Sequence, residues 1–174
     1  MKIKYIYWAA WVSYGIAVSL PVLIGEYGSN YYGYEVLANG FLGFIVGQYA
    51  WFANIFLIVA LRFVNKEKYL AGMIFSGLAS LLGLQTFQLD KFPLDEGGSS
   101  NFFVDYLGYG FYFWELAFIL IFVHCLTAYL KERKPNIAII DNKEKPKMTF
   151  AKGFLALGLL FFAIFVVQSV MKLV

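Results

Sequence analysis

The chain has 174 residues, of which 61 % are hydrophobic and 14 % charged, with a net charge of +3. A water-soluble domain is nearer to about 45–50 % apolar and about 25 % charged, and a soluble chain this short could not cover so much apolar surface. The composition predicts an integral membrane protein with one domain, 1–174, and the lone Cys125 excludes an intrachain disulfide and a C-x-x-C site.

Five apolar stretches are long enough to span a bilayer. A helix rises about 1.5 Å per residue, so about 20 residues cross a hydrocarbon core about 30 Å thick. Lipid offers the backbone no hydrogen-bond partners, which leaves helices as the spanning form at these lengths. The first stretch, 5–24, comes after Lys2 and Lys4. Its length, together with Trp8 and Trp11, favours a retained helix over a cleaved signal peptide, and Pro21 is expected to bend its exit. The second, third and fourth stretches cover 41–63, 69–88 and 111–130. A cytoplasmic linker, 131–152, contains Pro135 and Pro146 and leads to the fifth, 153–171, which carries no charge. The expected fold is an all-α bundle of five transmembrane helices.

Basic residues set the orientation. Lys2, Lys4, Arg62, Lys66, Lys68 and the lysine-rich linker fall on one side of alternating helices. Glu26, Glu35, Asp90, Asp95, Glu96 and Asp105 fall on the other, with Lys91 the one base among them. This places the N-terminus in the cytoplasm and the C-terminus outside, in a bacterial cytoplasmic (inner) membrane.

Lipid tails are as apolar as leucine, so helices associate in a bilayer through small residues that permit close approach. Gly43 and Gly47 form a G-x-x-x-G in the second stretch. Gly72, Ser76 and Ser80 repeat that spacing in the third, and Gly15 and Ser19 in the first. These positions are expected to pack helices within the monomer; the same motif also serves oligomer seams.

Ionisable groups inside a span are functional candidates, and here they are Glu115 and His124. Nine residues apart on one helix, they point to nearly opposite faces and do not make an acid–base pair. Glu115 lies roughly 6 Å below the outer edge of its helix, at a level that Ser19, Gln48, Gln85 and Gln168 share. Together these form a predicted polar layer, with Gln48 or Gln85 as the partner of Glu115. The layer is either a clasp that sets helix register or a site for a ligand, ion or proton. His124 belongs to the inner half, with Asn54 and Ser76 as expected partners. No nucleophile motif, phosphate loop, metal-ligand spacing or paired carboxylate occurs, so no catalytic residue, metal or cofactor is expected.

The outer stretches "GEYGSNYYGYE" (25–35) and "DYLGYGFYFWE" (105–115) combine glycine, tyrosine and acids. Tyrosine suits the headgroup layer, where one end of the ring is dry and the other wet. The same composition suits a recognition face, because acids select basic partners. Its candidates are Tyr27, Tyr31, Tyr32, Tyr34, Glu35, Asp95, Glu96, Asp105 and Tyr109.

"GQYAWFAN" (47–54) and "DEGG…LGYGFYFWE" (95–115) resemble short motifs in small multi-pass bacterial membrane proteins carried as uncharacterised. In size and topology the chain is also similar to colicin-type immunity proteins, which block pore-forming toxins inside the inner membrane. Those have four helices with both termini inside, and a fifth segment departs from that plan. The expected function is that of a non-enzymatic accessory, immunity or defence component. It would act through helix and outer-loop contacts with a membrane-protein partner, surrounded by lipid and without nucleic acid. The alternative is a homo-oligomeric channel or small transporter with a polar pathway around Glu115.

Overall fold

The computed structural model describes residues 3–94 and 100–132. Helix α1 (Ile3–Ser19) leads into strand β1 (Pro21–Gly25), a turn, strand β2 (Asn30–Tyr32) and the short helix α2 (Gly33–Asn39). Two 3-10 segments, Gly40–Val46 and Ala50–Phe52, precede helix α3 (Ala53–Asn65). Helix α4 (Tyr69–Gly83), strands β3 (Lys91–Pro93) and β4 (Asn101–Leu107), and the long helix α5 (Tyr109–Glu132) complete the described chain.

This architecture corrects the expectation of an all-α bundle of five spanning helices. The strands form a four-stranded antiparallel sheet in the order β2-β1-β4-β3. Among the described residues two helices are long and apolar enough to cross a membrane, Tyr69–Gln88, which is α4 with its 3-10 extension, and Tyr109–Glu132. The stretch 153–171, most of the linker 131–152 and the C-terminus lie outside the described residues.

The two remaining stretches end early for local reasons. In the first, Leu20 donates its backbone N–H to Ile16 O (3.1 Å), closing the last turn of α1. Pro21 has no N–H to offer a further turn, and it opens a strand, a position that tolerates its missing donor. The second stretch breaks at Gly47, whose φ of 75° is left-handed and ends the preceding helical turns. There Gly47 N donates to Phe44 O (3.0 Å) and Gln48 N to Gly43 O (2.9 Å). Regular α-helix resumes with α3, which is 13 residues long. Its length of about 20 Å is too short for a hydrocarbon core of about 30 Å.

The sheet draws β2, β3 and β4 from the predicted outer loops, and β1 from the end of the predicted first span, 5–24. β1 pairs with β4 in the register Leu23↔Leu107, Ile24↔Tyr106 and Gly25↔Val104, so Asp105 is an extra residue and bulges. A bulge leaves one residue unpaired and kinks its strand, and Asp105 and Tyr106 are both exposed. Phe102, Val104 and Leu107 instead pack on a small core of Val22, Leu23, Tyr31, Phe92 and Phe111.

In the bundle α5 lies between α1 and α4, and α3 packs on α4. Its core includes Ala10, Ala53, Ala60, Phe75, Ala79, Phe118, Ile121 and Cys125, and Trp114 packs against both this core and the one beneath the sheet. Along α1 and much of α4 small residues face inward and many large ones outward. On α1 the buried positions are Ile6, Ala10, Ser13 and Ala17, whereas Tyr5, Trp8, Trp11, Val12 and Ile16 are exposed. On α4 Gly72, Ser76, Ala79 and Gly83 are buried together with Phe75, whereas Leu70 and Leu81 are exposed.

Candidate functional site

The polar side chains of the outer third gather where the bundle meets the sheet, but not as one layer. Glu115 is buried on α5, and Ser80 Oγ of α4 donates to its Oε1. Its Oε2 has no hydrogen-bond partner among the described residues. This corrects the expected partners, because Gln48 and Gln85 are both placed elsewhere in the fold. The space for the carboxyl comes from Gly83, one turn beyond Ser80, where a Cβ would collide with Oε2.

Gln85 secures the break in the second stretch. Its Oε1 accepts from Tyr49 N (2.8 Å) and its Nε2 donates to Gly47 O (3.0 Å). Gln48 is buried, with 9 % of its surface exposed. Its Cβ and backbone carbonyl would lie 3.2 Å from a Cβ at Gly43. Its Oε1 has no hydrogen-bond partner among the described residues. Ser19 is exposed and returns its hydroxyl to Gly15 O (3.1 Å). Gln168 lies outside the described residues.

Asn54 is the hub of a separate network. Its Oδ1 accepts from Tyr14 OH and from Trp114 Nε1, both at 2.9 Å, and its Nδ2 donates to Trp51 O at 2.9 Å. Three segments distant in sequence thus share one amide. His124 is buried beside the rings of Tyr7 and Tyr69, with centroids at 5.5 and 6.3 Å. The expected bond from His124 to Asn54 or Ser76 is not made; Ser76 donates to Gly72 O (2.8 Å) within its own helix.

The predicted packing glycines also separate. Gly43 sits in a 3-10 segment and Gly47 in a left-handed turn, so they do not line one helix face. On α4, a Cβ at Gly72 would meet Cys125 Sγ at 2.8 Å and Val64 Cγ2 at 3.3 Å, so Gly72 lies where α3, α4 and α5 approach one another. Ser76 is fully buried on the same helix, and Ser80 holds Glu115.

The recognition candidates divide between structure and surface. Tyr31 is buried against Phe92 (5.2 Å) and Phe102 (5.6 Å), and its hydroxyl accepts from Asn39 Nδ2 (3.2 Å). Burial pushes its phenol above the ordinary value of 10.0; the Asn39 bond opposes that rise and the nearby Glu35 adds to it. Glu35 Oε2 accepts from Tyr32 N (2.7 Å), forming the capping box of α2, and the rings of Tyr32 and Tyr34 stack at 5.8 Å. Tyr34, Asp105 and Tyr109 are exposed, Tyr109 to 78 %. Tyr27 belongs to the turn Glu26–Gly28, and Asp95 and Glu96 lie outside the described residues.

Sequence reasoning missed Ser80 as a carboxyl partner, Gly83 as its space, and Trp114 as a donor to Asn54. The run of small residues from Gly72 to Gly83 carried the signal for the first two, since a notch on one helix can admit a polar side chain from another. Among the described residues no group of three His, Cys, Asp or Glu side chains is placed to hold a metal ion.

Comparison with known proteins gave no match to a family model, to a curated protein or to a solved structure.

Proposed function

We propose that the chain is a non-enzymatic, multi-pass component of a bacterial cytoplasmic membrane, acting as an accessory, immunity or defence protein. Its sheet is the recognition face on the non-cytoplasmic side, and its partner presents basic groups there. One observation carries the reading: both acidic, tyrosine-rich outer loops join in a single sheet whose surface keeps Phe103, Asp105 and Tyr106 exposed. Rigid aromatic side chains supply contact area at low entropic cost, and Glu26 and Asp105 add exposed negative charge that steers a basic partner. Residence in lipid is supported by the large apolar side chains left exposed along α1, α4 and α5, such as Trp8, Val12, Leu81 and Ile119, because helices that are apolar all round need either a larger core or a bilayer.

The test has two parts. Single cysteines at Ser29 and Ser100 are expected to react with an impermeant thiol reagent in intact cells or spheroplasts. A photo-crosslinking residue at Tyr106 is expected to give one discrete protein adduct in cells, lost when Glu26 and Asp105 are both changed to lysine. Labelling only after lysis, or an adduct indifferent to the charge reversal, would overturn the proposal.

A further inference from the structure

Residues 33–46 form one unbroken helical run, α2 followed directly by the 3-10 turns Gly40–Val46. Both of its ends are fixed at the same end of the bundle. Gly33 donates its N–H to Leu20 O at the exit of α1 (2.9 Å), and Gly47, just past the last turn, accepts from Gln85 Nε2 in the 3-10 extension of α4 (3.0 Å). Midway, Trp51 Nε1, in the turn that precedes α3, donates to Leu37 O (3.0 Å). The start of α5 lies here too, since a Cβ at Gly110 would meet Leu20 O. The run is roughly 24 Å long, from a rise of about 1.5 Å per residue in an α-helix and about 2 Å in a 3-10 helix. Tied at both ends to one level, it crosses the end of the bundle and does not descend along it.

The run has three faces. Gly33, Gly40 and Gly43 are buried, and a Cβ at Gly40 would strike the ring of Trp51. Glu35 and Asn39, four residues apart, turn toward β2: Glu35 accepts from Tyr32 N, and Asn39 donates to Tyr31 OH. Tyr34, Leu37, Phe41 and Phe44 occupy the remaining face and are exposed. Positions three apart eclipse in a 3-10 helix, which aligns Phe41 with Phe44. Glu35, half-buried, is the one charged residue of the run, so the exposed face carries no charge.

We propose that this face lies in the outer leaflet of the membrane, at the boundary between phospholipid headgroups and acyl chains, so that 33–46 is an in-plane segment on which the recognition sheet rests. The inference builds on the membrane residence proposed above. The stripe has no charged group with which to select a basic partner, and the acids that could do so, Glu26 and Asp105, belong to the sheet. The apolar exterior also continues beyond the stripe. Gln85 anchors the end of the run, and its neighbours Leu84 and Phe87 are exposed, as is Leu81 one turn earlier. All three belong to Tyr69–Gln88, which is long and apolar enough to cross a bilayer. Tyr34, at the sheet end of the run, offers a ring with one dry and one wet end, which suits the headgroup layer. Interfacial helices sink their apolar face about 5–10 Å, a depth that the in-plane placement gives to every residue of the stripe at once.

A depth measurement tests this. Leu37→Cys, Phe41→Cys and Phe44→Cys are spin-labelled one at a time in full-length protein held in phosphatidylcholine nanodiscs, with Ile119→Cys on α5 and Ser29→Cys in the turn between β1 and β2 as references. All five positions are exposed. Cys125 is buried and stays in place, the unsubstituted protein being the labelling blank. Collision rates with oxygen, which prefers lipid, and with a water-soluble nickel chelate give the depth of each label. The labels at 37, 41 and 44 are expected within about 4 Å of one another, about 5–10 Å below the phosphates, with the label at 119 far deeper. Were the run the start of a spanning helix, the labels at 37 and 44 would differ by roughly 12 Å, and the proposal would fall. Chelate access at 41 and 44 equal to that at 29 would overturn it by placing the stripe in water. Protection of both labels from oxygen and chelate alike would overturn it in favour of a protein partner or a second copy. In each of these cases a deep label at 119 leaves the membrane reading standing, whereas a label at 119 in water overturns both.

Discussion

Two side chains show how burial and partnership set the behaviour of single residues here. Glu115 is held by a notch as much as by a bond: Ser80 donates to one oxygen, and the missing Cβ of Gly83 leaves room for the other. Gly83→Ala forces the carboxyl aside and should cost about 1–3 kcal/mol, as overpacking does elsewhere. In a Glu115→Ala background the carboxyl clash disappears and the 3.2 Å approach to Trp114 Cζ3 is what remains, so the same substitution should cost markedly less. Thermal unfolding in detergent of the four members of this double-mutant cycle measures the coupling, and equal costs in both backgrounds would separate the two residues. Tyr31, in the sheet, gives a pH dependence. Its phenol titrates above its ordinary value because it is buried, so the folded state keeps the proton that the unfolded state releases near pH 10. The stabilising contribution is complete below about pH 10 and is lost as pH rises through the folded-state value. Tyr31→Phe also gives up the bond from Asn39, about 0.5–1.5 kcal/mol. It should therefore melt lower than the parent at pH 8, with the gap narrowing at pH 11.

At the scale of elements, glycine decides where α1 and α2 meet. A Cβ at Gly33 would strike the carbonyl of Ala17, the residue two before the end of α1. Gly33 also donates its N–H to Leu20 O (2.9 Å), joining the start of α2 to the end of α1. Gly15, on the same helix as Ala17, has nothing within 4 Å of its virtual Cβ. Gly33→Ala should therefore lower the melting temperature and loosen the connection between bundle and sheet. Gly15→Ala should be neutral or raise stability by up to about 1 kcal/mol through helix propensity. The reverse ranking would mean that α1 packs through its Gly15 face. The breaks at Pro21 and Gly47 obey similar logic: each removes a helical option at one residue, and the chain uses the freed backbone for a strand or a turn.

For the molecule as a whole, the informative surface is the one facing away from the core. Ile119 lies midway along α5 and is exposed, as are Tyr112 and Leu116 on the same helix. In a protein surrounded by water, lysine at such a position would be harmless. In a bilayer it would cost about 2.5–3.5 kcal/mol on insertion scales. Ile119→Lys should accordingly reduce the membrane-integrated fraction of the expressed protein, whereas Leu130→Lys, beside Lys131 at the helix end, should be tolerated. Full accumulation of Ile119→Lys in the soluble fraction with an unchanged melting temperature would place this surface in water and overturn the membrane reading.

The sequence by itself determined the helices α4 and α5, because each is a long apolar run with neither proline nor a left-handed glycine inside it, and local hydrogen bonding suffices to build a helix. It also marked Glu115 as exceptional, since a carboxylate among apolar neighbours stands out in one dimension. Only the tertiary structure decided the sheet. β1 and β4 are far apart in the chain, and their short segments also read as helix ends or loops until they pair. Only the fold, likewise, decided that Glu115 meets Ser80 rather than a glutamine, and that Gln85 instead secures the break at Gly47. Those outcomes depend on which helix faces which and on where a missing Cβ leaves space, and these are properties of packed neighbours that no single stretch of sequence contains.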